Sequence, residues 1–200
     1  ARERAASDRL DRAGATTRDE RRRRHSSEAS GRFLARLSAA THRADVARTC
    51  FEEARRRFGV DTLVLASTAP NAGAATVVNE RGVSPLPLSR RAAIELQQEA
   101  EIRSPRFGLR PADGAPDWWP SCQSFATVPV SGASGRAMVG AFWDAPRQFP
   151  PPDEAALLSF AFVAAGAFDR ARRGQMDHDI ATAFQRSLFN PQPPDIEGLD

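Results

Sequence analysis

The chain contains no lysine and no tyrosine. Its 28 strong bases are therefore all arginine, and with a net charge of only +3 they read as GC-rich codon usage rather than as a nucleic-acid footprint. The two cysteines, Cys50 and Cys122, lack metal-ligand spacing and read as reduced thiols. No apolar run is long enough to span a bilayer, and the charged N-terminal stretch cannot serve as a signal peptide. The expected setting is cytoplasmic, without membrane or nucleic acid as partner. The chain starts without Met and closes on a linker-like stretch, so the expectation is a segment of a longer protein. What is present is a hydrophobic fraction of 41%, enough for a buried core, with 12 phenylalanines supplying most of the aromatic packing.

Residues 1–32 are rich in Arg, Asp and Glu, with Arg21–His25 as the extreme. They read as a charged lead-in or signalling helix. A basic patch for nucleic acid or acidic membrane is the competing reading, and the interleaved acids weigh against it. From Phe33 to Phe58 apolar and small residues recur three and four apart: Leu37, Thr41, Ala44, Ala47, Phe51, Ala54, Phe58. That spacing predicts one buried helical stripe, with a break near Thr41-His42, Asp45 as cap of the second part and Gly59 as its end. Asp61–Ser67 and Ala75–Asn79 read as a β-hairpin. Ser89–Ala100 reads as a helix with Ala92, Ala93, Leu96 and Ala100 on one side, and Ile102–Ser104 as a short strand. Pro105–Ser121 reads as a loop carrying Trp118 and Trp119.

Gln123–Val130 and Arg136–Trp143 read as a second hairpin around the turn Ser131–Gly135, with Met138, Gly140 and Phe142 on one face and Val139 and Ala141 on the other. Pro150–Pro152 stops the sheet, and Asp153 is the expected N-cap of a long helix striped by Leu157, Ala161, Ala164, Phe168 and Ala171. Gly174 is expected to shift the phase of that helix. Helices around two hairpins predict an α+β fold: an antiparallel sheet flanked by helices, with long N- and C-terminal signalling helices.

Ala44–Ala47, Glu53-Ala54 and Phe58–Asp61 resemble the opening of a GAF domain. Phe125–Val130, Gly140–Phe142 and Phe149 resemble its later strands, and Leu157, Ala164-Ala165 and Ala167–Ala171 its closing helix. The resemblance spans 33–173 and implies a GAF-like sheet with a small-molecule site between the sheet and the Pro105–Cys122 loop. Arg106, Phe107, Trp118, Trp119, Cys122 and Phe125 are then the candidate ligand-binding residues, with Arg106 or Arg110 as anion partner. The alternative is that the tryptophans only plug the core. The family's cyclic-nucleotide signature is not matched, and the bilin-attachment cysteine of phytochrome-type relatives has no evident counterpart.

The stretch 174–200 forms a third region. Met176, Ile180, Phe184 and Leu188 fall four apart, giving one apolar helical face that ends at Asn190-Pro191 and Pro193-Pro194. Ile180-Ala181, Phe184–Phe189, Pro194, Ile196 and Gly198-Leu199 resemble the linker that enters the catalytic domain of RsbU-like (stage-II-sporulation type) bacterial serine phosphatases. Phe184 stands where leucine is usual, and Asn190 delays the first proline by one. The resemblance implies a sensory, dimerising domain controlling a metal-dependent serine/threonine phosphatase in sigma-factor partner switching. Mn or Mg is expected in that catalytic domain, and a phosphorylated anti-sigma-factor antagonist is the expected substrate. A GAF module of a histidine kinase or diguanylate cyclase, or a purely structural dimerisation domain without ligand, are the other readings. A kinase would continue into a His-containing helix rather than Pro-Pro-Asp-Ile-Glu-Gly.

No catalytic or metal constellation is legible, and no cofactor is expected in the segment, which is not expected to be an enzyme. None of the three histidines pairs recognisably with Ser or Cys. His42 beside Cys50 invites a ligand reading, but a lone His at a helix junction is usually a surface or capping residue. The Ser131–Gly135 turn lacks Lys and opens no helix, as a phosphate cradle requires. Asp113, Asp117, Asp144 and Asp153 are scattered through loops. Phe168, Ile180, Phe184 and Leu188 are the expected dimer and signalling contacts of a parallel homodimer.

Overall fold

The computed structural model describes residues 28–67, 74–102, 104–111, 118–132 and 135–189. The Arg21–His25 run, Asp113, Asp117, the tip of the Ser131–Gly135 turn and the proline-rich end with Pro194, Ile196 and Gly198 lie outside them. Helix α1 covers residues 28–39 and belongs to one compact unit; everything from the next helix onward belongs to another.

The second unit opens with α2 (Arg43–Phe58), separated from α1 by the expected break. His42, not Asp45, occupies the N-cap: its carbonyl accepts from the amides of Asp45 and Val46, and Asp45 sits in the first turn. There its carboxylate still complements the helix dipole. Gly59 closes the helix in the left-handed region, at φ 66°, with its N–H on Arg55 O at 2.8 Å. The buried stripe is Val46, Ala47, Cys50, Phe51, Ala54 and Phe58; Thr41 and Ala44 are exposed.

The sheet has six antiparallel strands, β1 (Thr62–Ser67), β2 (Ala74–Asn79), β3 (Gly82–Pro87), β4 (Arg106–Leu109), β5 (Ser124–Gly132) and β6 (Gly135–Trp143), in the order β3-β2-β1-β6-β5-β4. Two meanders thus meet where β1 pairs with β6. Both expected hairpins are present. The edge strands are new: β3, and β4 inside the stretch read as loop. Pro85 and Pro87 hide β3 from any pattern search, yet an edge strand has one side that needs no N–H partners. Ile102 caps the preceding helix instead of starting a strand.

Helix α3 (Arg90–Glu101) is capped by Ser89, whose Oγ accepts from Ala92 N at 3.0 Å. It lies on the sheet face carrying Val64, Ala66, Met138 and Phe142, and buries Ala92, Leu96 and Ala100; Ala93 points to solvent. Helix α4 (Pro151–Phe189) packs with α2 on the opposite face. It starts at Pro151, a favoured first helical residue, so Asp153 lies in the first turn rather than at the N-cap. Asp153 pairs there with Arg147 at 2.8 Å. Gly174 leaves α4 unbroken.

Candidate functional site

The expected ligand region is built on the α3 face by β5, β6 and the residues entering β5. Alternation along β5 and β6 aims Phe125 and Phe142 at this face. Trp118 and Trp119 drop onto them: Trp119 lies 4.2 Å from the Phe125 centroid and 5.7 Å from that of Phe142, and Trp118 stands edge-on to Phe142 at 6.2 Å. Trp118 is 2% exposed and Trp119 6%, so both rings are part of the core. Among the described residues neither indole N–H has a hydrogen-bond partner. A buried donor left unsatisfied costs on the order of 1–3 kcal/mol, and the α3 face carries two such donors without an acceptor among the described residues.

The other candidates divide. Cys122 joins the same cluster, and burial pushes its thiol up, only partly offset by Arg110, whose Nη1 lies 4.0 Å from Sγ. Arg106 is committed within the domain: it pairs with Glu99 of α3 and stacks 5.7 Å over the Phe125 ring. Glu99 in turn accepts from Thr127 Oγ1 at 3.3 Å. Arg110 donates to Pro120 O at 2.6 Å. Each arginine thus commits one nitrogen, Nη1, to a contact within the domain. Phe107 does not belong to the group. As the neighbour of Arg106 on a pleated strand it faces the other way, and its ring lies 5.6 Å from Phe149.

On α4 the contacts expected at a partner copy also divide. Phe168 is buried within the domain, with the Arg43 guanidinium 5.0 Å above its ring, because the 157–171 stripe packs on the sheet and α2. Ile180 and Phe184 are 61% and 64% exposed, and Met176 precedes them on the same face. The side chain of Leu188 lies outside the described residues. His42 is exposed at its cap, and Cys50 is fully buried, its thiol pushed up to about 12 by burial. Among the described residues no three His, Cys, Asp or Glu side chains gather as a metal site, and no helix is long and apolar enough to cross a membrane.

One feature of this unit had no signal in the sequence. A cavity of about 110 Å3 lies between α4 and the end of the sheet formed by β1, β5 and β6, with Arg136, Asp169 and Arg172 in its wall.

No protein-family model matches the chain, and no curated protein matches it. Solved structures do. The GAF domain of an Acinetobacter phosphoenolpyruvate-protein phosphotransferase superposes with a TM-score of 0.54 over 74% of this chain and 95% of its own, at 12% identity. A methyl-accepting chemotaxis protein, residues 122 to 287, superposes with a TM-score of 0.51 over 72% of this chain and 98% of its own, at 18% identity. The fold is GAF-like: a six-stranded antiparallel sheet flanked by helices, with a long C-terminal helix.

Proposed function

We propose that this chain is a sensory and dimerising GAF module that passes a signal along α4 to an output domain. The observation that carries the reading is α4 itself. It is one helix from Pro151 to Phe189; its 157–171 stripe is buried in the domain, and beyond it Met176, Ile180 and Phe184 expose apolar side chains four residues apart. Such a face in water favours a second copy, as in a parallel coiled coil. The ligand would sit on the α3 face, where Trp118 and Trp119 offer unpartnered donors. By preferring one packing of the sheet against α4, it would shift an equilibrium by its difference in affinity for the two states, typically about 1–3 kcal/mol.

The output we favour is an RsbU-like serine/threonine phosphatase with Mn or Mg in its own domain, acting on a phosphorylated anti-sigma-factor antagonist. Its support is the resemblance of 180–199 to that family's linker. The reading requires a dimer. Ile180→Asp with Phe184→Asp is expected to give monomers in light scattering, and a native chain that is monomeric at high concentration overturns it. In the longer protein, Gly174→Pro is expected to uncouple phosphatase activity from this domain. Unchanged rate and regulation after removal of residues 33–173 would exclude a sensory role for that enzyme.

A further inference from the structure

The cavity beneath α4 is separate from the α3 face and lies on the opposite side of the sheet. Its apolar wall is Val130, Ala137, Phe162 and Ala165; its polar groups include Arg136, Arg172 and the carboxylate of Asp169. At about 110 Å3 it is somewhat smaller than a cavity of roughly 150 Å3 that admits benzene, so it suits a compact organic molecule.

Among the described residues two arginines and one aspartate line it. Asp169 is shared between Arg172, 3.6 Å away, and Arg173, 3.5 Å away, so neither contact reaches ordinary charge-assisted hydrogen-bond length. Arg172 Nε is buried and has no partner among the described residues. Arg43 of α2, stacked on Phe168, has the same unpartnered Nε. Burial first, and then the positive charge of Arg172, pull the Arg43 guanidinium below its ordinary value. Two like charges thus stand close together beside a cavity with an apolar wall.

We propose that this cavity binds a small aliphatic carboxylate, its oxygens on Arg172 and its hydrocarbon body against Val130, Ala137 and Ala165. A carboxylate accepts hydrogen bonds from a guanidinium fork, places a negative charge beside the arginines and brings an apolar tail. Inorganic phosphate would supply the charge but leave the apolar wall unfilled. The site abuts α4 immediately before Gly174, so occupancy would bear on the same helix as the α3 face without depending on that site.

The test is titration of the whole chain with sodium butyrate, followed by amide NMR, with butyramide and inorganic phosphate as controls. Saturable shifts clustered at Ser67, Ala137, Gly166 and Arg172 are expected for butyrate and not for the controls. Arg172→Met is expected to weaken binding about tenfold or more. If that variant does not fold, Gly166→Leu decides. Gly166 lines the cavity, and a Cβ there meets nothing nearer than Arg170 Nη1 at 3.9 Å, so leucine is expected to narrow the cavity and to weaken or abolish the shifts. Absence of saturable butyrate shifts, equal response to butyramide or phosphate, or binding unaltered in the folded variants overturns the proposal.

Discussion

Gly140 leaves its side-chain space to the ring of Phe142: a Cβ on Gly140 would lie 2.7 Å from Phe142 Cε2 and 2.9 Å from Cζ. Both residues project from β6 onto the α3 face, and the ring held over Gly140 is the one on which Trp118 and Trp119 pack. Gly140→Ala is therefore expected to push Phe142 into the tryptophans and to destabilise the domain by about 1–3 kcal/mol. Gly174→Ala is the control. Its Cβ meets nothing within 4 Å, and it should stabilise α4 by up to about 1 kcal/mol. Urea unfolding followed by tryptophan fluorescence reads both.

Arg147 ties three elements together. It donates to Phe58 O at the end of α2 and to Asp153 in the first turn of α4, and it stacks 5.1 Å over Trp143 of β6. Arg147→Ala should cost roughly 2 kcal/mol, the scale of a hydrogen bond to a charged group. Phe58 O keeps the Trp143 Nε1 bond at 2.9 Å, which limits the loss. Arg147→Lys should recover only part, since an ammonium cannot reproduce the planar fork. Chemical denaturation midpoints of the three proteins test the order.

Glu53 predicts a specific acid limb. Burial pulls its carboxyl up, but the hydrogen bond from Arg56 and the charges of Arg57 and Arg56 outweigh it, leaving it below its ordinary value of 4.5. A carboxylate with a lowered folded value stabilises the native state above its unfolded value. That contribution is lost as pH falls through the folded value. Glu53→Gln should therefore be less stable at neutral pH, with the gap closing as pH falls below the ordinary carboxyl value of 4.5. Parallel acid profiles for the two proteins would refute this.

Cys50, fully buried and with its thiol pushed up to about 12, carries almost no thiolate at pH 8. Alkylation by iodoacetamide at Cys50 should occur only through unfolding, and its rate should rise with urea in step with global unfolding. Fast labelling of native Cys50, read by peptide mass spectrometry, is the contrary result. Cys50→Ser should cost about 1–3 kcal/mol by placing a hydroxyl in an apolar site.

The periodic elements were legible from local residues. The alternation Met138, Gly140, Phe142 against Val139, Ala141 identified both faces of β6, and the three-and-four spacing of Leu157 to Ala171 identified the buried side of α4. Helix starts were less legible, because any of several neighbouring residues can serve. His42 and Pro151 began helices expected to be capped by Asp45 and Asp153.

Sequence alone determined what depends on neighbours along the chain: an α+β class, an antiparallel sheet built on two hairpins, and a long closing helix with an apolar continuation. Only the tertiary structure decided what depends on remote pairing. The edge strands β3 and β4 carry Pro85, Pro87 and Gly108, and exist because β2 and β5 offer them free hydrogen-bonding sides. The register of β4 put Phe107 on the face away from Trp118 and Trp119, since adjacent residues on a pleated strand must diverge. The cavity under α4, and the meeting of Arg43 with Arg172 beside it, join residues far apart in sequence. Local periodicity records which side of an element is buried; it holds no information on which distant element does the burying.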